Sequence, residues 1–267
     1  MPEPAADTAP TQRPILVEDG DGVRKITLNR PEARNALNTR CYQFLARALE
    51  EASGDPQIAC VLVTAAGDAF TAGYDLRDDE FSLEEQWAAY ESFIYGLEGF
   101  DKPAIAAVNG YAIGIGATML GHFDVVIASV SARFRFPFAS LALSPEAGSS
   151  FTLPAAVGTQ MAAHALFTAS WISAEEARDS GLIWKLVDDD ELLRTAEQEC
   201  KEIAGMPVDA LVTAKRLLLA NRLDAVREAR RREEIEFRRM QSGPDHAEAL
   251  AAFAERRPPN FNRGNPE

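Results

Sequence analysis

The sequence predicts an α/β fold with strands concentrated in the first half and helices in the second. Three observations carry that expectation. Short apolar, β-rich runs recur up to about residue 136, two of them lead into glycine-containing turns, and from Gly158 onward the pattern is almost wholly helical. The 267 residues suffice for one large domain with a helical appendage, or for two small domains.

The elements follow in order. Ile15 to Glu18 and Val23 to Leu28 flank Asp19-Gly20-Asp21-Gly22, a hairpin signal. Asn38 and Thr39 can cap a helix through Ala52, with Phe44, Leu45, Leu49 and Ala52 on its apolar face. Cys60 to Thr64 and Ala104 to Val108 read as buried strands, and Glu80 to Leu97 as a helix between them. Val125 to Ala128 and Arg133 to Phe136 read as further strands. Ser173, with Glu176 three residues on, opens a short helix through a capping box. Helices are expected over Asp190 to Ile203, Val208 to Leu219, Asp224 to Met240 and Asp245 to Glu255. The charged run Arg230 to Glu236 reads as a solvated or subunit-facing surface, with Arg230–Glu234 and Arg232–Glu236 one turn apart.

Composition narrows the function. A formal net charge of −14 argues against a nucleic-acid partner or an anionic membrane surface, yet leaves room for a phosphorylated small ligand held by a few local cations. Cys41, Cys60 and Cys200 are far apart, as are His122, His164 and His246, so no metal site, disulfide framework or nucleophile triad is expected. No apolar run reaches membrane-spanning length. The stretch Met1 to Arg13 lacks the pattern of a signal peptide and reads as a tail, and Gly264-Asn265-Pro266-Glu267 is no peroxisomal address, which leaves a cytoplasmic location as the expectation.

Two turns carry chemistry. Phe70-Thr71-Ala72-Gly73-Tyr74-Asp75-Leu76 comes shortly after the strand at Cys60 to Thr64. Asn109-Gly110-Tyr111-Ala112-Ile113-Gly114-Ile115-Gly116-Ala117-Thr118 directly follows the strand Ala104 to Val108. Turns of this type leave backbone N–H groups pointing outward, and a helix N-terminus adds attraction for negative charge. Two such amides converging on one oxygen make an oxyanion hole. Either turn alone reads more readily as a tight structural turn.

Taken together, and with Ile26-Thr27-Leu28-Asn29-Arg30-Pro31, Arg34-Asn35-Ala36-Leu37 and Phe123-Asp124, the turns resemble those of the crotonase (enoyl-CoA hydratase/isomerase) superfamily over nearly the whole chain. The resemblance implies a spiral of repeated ββα units followed by a C-terminal helical trimerisation region, and hence a homotrimer or a hexamer built as a dimer of trimers. It divides the chain into a tail at 1–12, a spiral core at 13–200, a helical region at 201–258 and a tail at 259–267. It implies an acyl-CoA thioester as substrate, with no separate cofactor, and the amides of Tyr74 and Ile115 as oxyanion donors. Arg34, Ala72, Asp75, Leu76, Gly114, Thr118 and Phe138 are the implied substrate-binding positions. Arg34 reads either as a contact to a CoA phosphate or as a solvated loop arginine. Lys215 is a weaker candidate that reads more readily as a snorkelling surface lysine.

The same resemblance bears on the reaction. Hydratases of the superfamily use two glutamates, and the matching positions here are Thr118 and Phe138, neither of which can serve as a base. Leu143-Ser144-Pro145-Glu146-Ala147-Gly148-Ser149-Ser150 is similar to the segment that carries the base of peroxisomal-type Δ3,Δ2-enoyl-CoA isomerases, which makes Glu146 the expected base. From the residues alone, Glu146 reads more readily as a cap of the following helix. Phe134, Phe136 and Phe138 are candidates for a dry wall around it, or for core packing. The expected activity is therefore a shift of a C3=C4 double bond to give 2-trans-enoyl-CoA. The competing expectations are hydration, thioester hydrolysis (with Glu80, Glu84 or Glu85 entering the pocket), or a catalytically silent acyl-CoA-binding trimer.

Overall fold

The computed structural model describes residues 13–261. The expected tail at 1–12, and most of that at 259–267, lie outside the described residues.

The hairpin forms with a two-residue turn. Strands β1 (Ile15–Gly20) and β2 (Val23–Leu28) pair antiparallel, and Asp21 and Gly22 both take positive φ, as a twist-matched hairpin turn requires. Helix α1 (Thr39–Gly54) is capped by Asn38, whose side chain accepts from Cys41 N at 3.1 Å. Tyr42, Leu45, Ala48, Leu49 and Ala52 form its buried face. Phe44, expected inside, is 41% exposed, because it falls one position off that stripe.

Three strand pairs then repeat one plan. β3 (Cys60–Ala65), β5 (Ala104–Val108) and β7 (Val125–Ser129) enter a large sheet, and the short strands that follow them enter a small one. Those partners are β4 (Ala69–Thr71), β6 (Tyr111–Ile113) and β8 (Arg133–Arg135). Helix α2 (Leu83–Glu98) follows β4, and the one-turn helix α3 (Ile115–Thr118) follows β6. With β9 (Trp171–Ser173) and β10 (Lys185–Val187) from the second half, the large sheet runs β1-β2-β3-β5-β7-β10, parallel except for β1, and the small sheet runs β4-β6-β8-β9. The expected ββα repeat is thus present.

The core has two parts, one on each face of the large sheet. Val61, Val63, Ala104 and Ala106 face α1 and α2, whereas Cys60, Leu62, Ile105, Ala107 and Ile127 face α7 (Leu192–Ala204) through Leu192, Ala196 and Cys200. Burial on both faces explains why these strands read as continuous apolar runs. Each fully buried Leu or Ile contributes about 2 kcal/mol of hydrophobic stabilisation. Helix α7 runs through the 200/201 position where the helical region was expected to begin, and it packs as part of the core.

The second half adds α4 (Ser149–Val157), α5 (Thr159–Thr168), β9 (Trp171–Ser173), α6 (Ala174–Ser180) and β10 (Lys185–Val187). The capping box of Ser173 and Glu176 is present. Helices α8 (Val208–Ala220), α9 (Leu223–Gln241) and α10 (Pro244–Glu255) complete the described chain. Lys215 is not a surface residue. Its Nζ is buried, donating to Lys102 O and Asp124 Oδ2 at 2.8 Å each, where it joins α8 to the large sheet.

The charged run in α9 also departs from expectation. Arg230 and Glu233 are buried, and the pairs formed within the helix are Arg231–Glu228, Arg232–Glu228, Arg238–Glu234 and Arg239–Glu236 instead of those expected. Arg227 Nε and Arg230 Nε both donate to the buried Glu98 carboxylate of α2, at 2.8 and 3.1 Å. Helix α9 is thereby fastened to α2 along one flank and to α4 along the other.

Candidate active site

The small sheet sets the two turns side by side. Parallel pairing of β4 with β6 places Thr71 opposite Ala112, so both chains leave the sheet at the same edge. Gly73 (φ 92°) and Gly114 (φ 57°) then turn the backbone through conformations that L side chains rarely adopt. The contact is close: a Cβ on Gly73 would lie 2.7 Å from Ile113 O. Gly116 packs as tightly, since a Cβ there would lie 2.4 Å from the Thr71 methyl carbon.

The residues after those glycines are Tyr74 and Ile115. Leu37 N donates to Gly73 O and Asp75 N donates to Leu37 O, a parallel bridge that turns the N–H of Tyr74 away from Leu37. Ile115 is the first residue of α3, where an N–H has no intrahelical acceptor. Among the described residues neither amide has an acceptor within the chain. Two neighbouring N–H groups are therefore free to bind an oxygen that carries negative charge.

The first turn is braced from below. The Asn35 side chain donates to Ala66 O and Ala69 O at 2.7 Å each, and its Oδ1 accepts from Arg30 N at 2.8 Å. Arg30 also donates to the buried Asp75 at 3.0 Å. Burial works against the Asp75 charge, but the Arg77 N–H and the Arg30 guanidinium prevail and hold the carboxyl below its usual range. Asp75 is thus a structural anion within the turn. Ala72 N donates to Arg34 O, which sets Arg34 beside the first turn. The Arg34 side chain is exposed and has no ion pair among the described residues. Leu76, 51% exposed, projects from the same turn.

Glu146 sits in the turn before α4. Ala147 (φ 57°) and Gly148 (φ 73°) are consecutive left-handed residues, an arrangement that costs about 1–2 kcal/mol at the alanine. The turn survives because it is bonded on every side. Ser144 Oγ donates to Glu233 O at 3.2 Å, Ser149 N donates to Glu146 O at 3.0 Å, and Gly148 N and Ser150 N donate to the two Glu233 carboxylate oxygens at 2.6 and 2.7 Å. His122 Nε2 donates to Ala147 O at 2.7 Å, and burial lowers this imidazole to about 4, so it is neutral at pH 7.

The Glu146 carboxyl is pushed up to about 8. Desolvation is the largest cause, the Glu233 charge adds to it, and a hydrogen bond from Tyr90 opposes both. Tyr90 lies on α2 and meets Tyr42 of α1 edge-on, ring centres 5.8 Å apart. Burial, together with the neighbouring charge of Glu146, keeps both phenols well above their ordinary range, so both are protonated at neutral pH. The charges of both Glu146 and Tyr74 act on Tyr42. Tyr90, Tyr42 and Glu233 were not singled out from the sequence.

Two further positions pack elsewhere. Phe138 is in the core, as are Phe134 and Phe136. Thr118 is buried, with its hydroxyl donating to Ile115 O at 3.4 Å, and it lines a cavity of about 530 Å³ together with Phe123, Ser149 and Arg222. Neither Glu146 nor Tyr74 reaches that cavity.

Comparison with known proteins agrees with the fold and with the family that the sequence resembles. Residues 18–264 match the family model described as enoyl-CoA hydratase/isomerase. The chain is 34% identical to 1,2-epoxyphenylacetyl-CoA isomerase of Escherichia coli, over 92% of this chain and 97% of that protein. It is 32% identical to enoyl-CoA delta isomerase 2 of Rattus norvegicus, over 91% of this chain but only 64% of that protein, and 33% identical to 2,3-dehydroadipyl-CoA hydratase of E. coli, over 92% and 98%. Among solved structures, an enoyl-CoA hydratase/isomerase from Pseudoalteromonas atlantica superposes with a TM-score of 0.89 at 38% identity, over 93% of this chain and 99% of that one.

Proposed function

The chain belongs to the enoyl-CoA hydratase/isomerase family of acyl-CoA enzymes, the crotonase superfamily, and from that premise we propose that it moves a C3=C4 double bond to give 2-trans-enoyl-CoA. Glu146 is the base in this reading, and the N–H groups of Tyr74 and Ile115 converge on the thioester oxygen. Gly114, Ala72 and Leu76 shape the turns that meet the acyl thioester, and Arg34 contacts a CoA phosphate.

The steps balance on one carboxylate. Glu146 takes a C2 proton, and the electron pair moves through C1 onto the thioester oxygen, where the two amides receive it. The dienolate collapses as the protonated Glu146 returns the proton at C4. The C2=C3 bond forms and the C3=C4 bond is lost. The sequence is redox-neutral and moves only a proton, so we assign no cofactor beyond the CoA of the substrate. One lost oxyanion donor typically costs about 3–4 kcal/mol of transition-state stabilisation.

The observation that supports this reading best is the placement of Glu146 in a turn anchored by Ser149, Glu233 and His122, where desolvation pushes its carboxyl up to about 8. A base so placed is matched to a weakly acidic carbon proton near neutral pH. Glu146→Gln should fold and bind acyl-CoA but lose turnover of 3-hexenoyl-CoA by at least about 10³-fold, at the upper part of the range for a positioned base. A near wild-type rate would refute the assignment.

Hydration is the second reading, because similar relatives carry hydratase names. It requires a second acid/base group. Glu80 is ion-paired with Arg40, Glu85 closes the capping box of α2, Glu84 is exposed, and both oxygens of Glu233 are occupied by amides. A coupled assay that separates 3-enoyl isomerisation from 2-enoyl hydration distinguishes the two. We further propose a homotrimer or a dimer of trimers, since Met206, Leu217, Leu218 and Phe253 of the helical region are exposed on one chain. Sedimentation velocity would test it.

A further inference from the structure

Helix α9 holds the turn that carries the proposed base, and it does so through one glutamate. Glu233 is 6% exposed, and its two carboxylate oxygens are spanned by Gly148 N and Ser150 N at 2.6 and 2.7 Å. Its main-chain oxygen accepts from Ser144 Oγ at 3.2 Å. One residue therefore grips both sides of the five-residue turn Ser144 to Gly148 that carries Glu146. The amides it binds open α4, where the helix dipole favours an anion.

We propose that Glu233 is a positioning residue for the reaction, fixing the Glu146 turn through Gly148, Ser150 and Ser144 from the far side of that turn. This rests on the assignment of Glu146 as base. The Glu233 charge adds to desolvation in raising the Glu146 carboxyl. Glu233 has two backbone N–H donors, at 2.6 and 2.7 Å, whereas Tyr90 is the group that favours the ionised form of Glu146. A Glu146 carboxylate formed beside that charge is a stronger base than an isolated one.

The other groups around Glu146 do not supply this effect. Tyr42 from α1 and Tyr90 from α2 are protonated phenols, and Tyr90 favours the ionised carboxylate. His122, bonded to the turn through Ala147 O, is neutral. Arg230 of α9 acts on Tyr90, and its guanidinium is turned to Glu98 and lies 3.9 Å from the Tyr95 ring centre. Glu233 is the neighbouring charge that raises Glu146, and it belongs to a helix far away in sequence.

The experiment is a titration of Glu146 that does not depend on turnover. The carboxyl C=O band is followed by difference infrared spectroscopy from pH 5 to 10, with Glu146→Gln identifying the band. The pH profile of kcat/KM on 3-hexenoyl-CoA is recorded in parallel. Glu233→Gln keeps an acceptor for one amide and removes the charge, and should lower the Glu146 midpoint and the acid limb together by about one pH unit. Ser144→Ala removes an anchor without changing charge and should leave both in place. Should Glu233→Gln not fold, Glu233→Asp draws the charge back by one methylene and should lower the midpoint by a smaller amount. An unchanged midpoint in the folded Glu233 variant overturns the proposal, as does an equal shift in Ser144→Ala. Activity retained in Glu146→Gln would instead overturn the assignment of the base, a separate outcome.

Discussion

Tyr74 Oη donates to Gln86 Oε1 at 2.6 Å, and this ties the first amide turn to the helix that also carries Tyr90. Gln86 and Tyr90 are four residues apart on α2 and so lie one turn apart on one face. One grips the turn proposed to hold the thioester oxygen and the other bonds the proposed base. Gln86 also donates to Asp78 O and Phe81 O, which fixes the loop between turn and helix. A rigid helix therefore spaces the two halves of the site.

Tyr90→Phe should move the pH dependence toward alkali. Its hydroxyl favours ionised Glu146, so removing it raises a carboxyl already near 8. The acid limb of kcat/KM should shift upward, with a loss of roughly 3- to 10-fold at pH 7 that is recovered above pH 9. A loss that persists at every pH would mean that Tyr90 acts only through packing.

Stability should depend on pH through Glu146. Its folded pKa, about 8, lies above the usual carboxylate value of 4.5, so the folded state retains a proton that the unfolded state has lost. Its contribution is full below about pH 4.5 and is lost as pH rises through about 8. Glu146→Gln, which is always neutral, should be more stable than wild type at pH 9 by on the order of a few kcal/mol, and nearly equal to it at pH 4. Urea unfolding at the two pH values checks the sign.

Arg34→Ala should separate CoA recognition from chemistry. The side chain is exposed beside Ala72 and has no partner in the described chain. With acyl-CoA, KM should rise about 10-fold, the scale of one charge-assisted contact, while kcat stays within about twofold. With the corresponding acyl-pantetheine thioester, which lacks the nucleotide phosphates, the variant and wild type should be alike.

Gly73→Ala and Gly114→Ala should differ. Both glycines have positive φ, but a Cβ at Gly73 collides with Ile113 O at 2.7 Å, whereas at Gly114 nothing lies within 4 Å. Gly114→Ala should cost about 1–2 kcal/mol of backbone strain, and Gly73→Ala clearly more. In a thermal melt each kcal/mol corresponds to roughly 2–4 °C for a chain of this size.

Features encoded locally could be read from the sequence. The Asn38 cap, the Ser173–Glu176 box and the hairpin at Asp21-Gly22 depend on residues within a few positions of one another. Strands β4, β6, β9 and β10 escaped, because three residues are too few to show alternation and their pairing is decided by distant partners. Within the site, Tyr74, Ile115 and Glu146 could be proposed because each sits at a turn with its own punctuation. Glu233 could not, because its burial depends on α9 docking against α4. One signal was available: Val226, Ala229, Glu233 and Phe237 keep a single helical register, so the glutamate occupies a place in an otherwise apolar stripe.

Both proposed oxyanion donors, at Tyr74 and Ile115, are main-chain groups, and a codon change alters a side chain without removing an amide hydrogen. Proline is the single encoded residue that abolishes such a donor outright. The charge-binding part of the site is therefore inherited through the path of the chain, held by Gly73 and Gly114, and it persists while the residues around it are exchanged. A lineage built this way can try new bases and new acyl pockets without first surrendering its grip on the thioester.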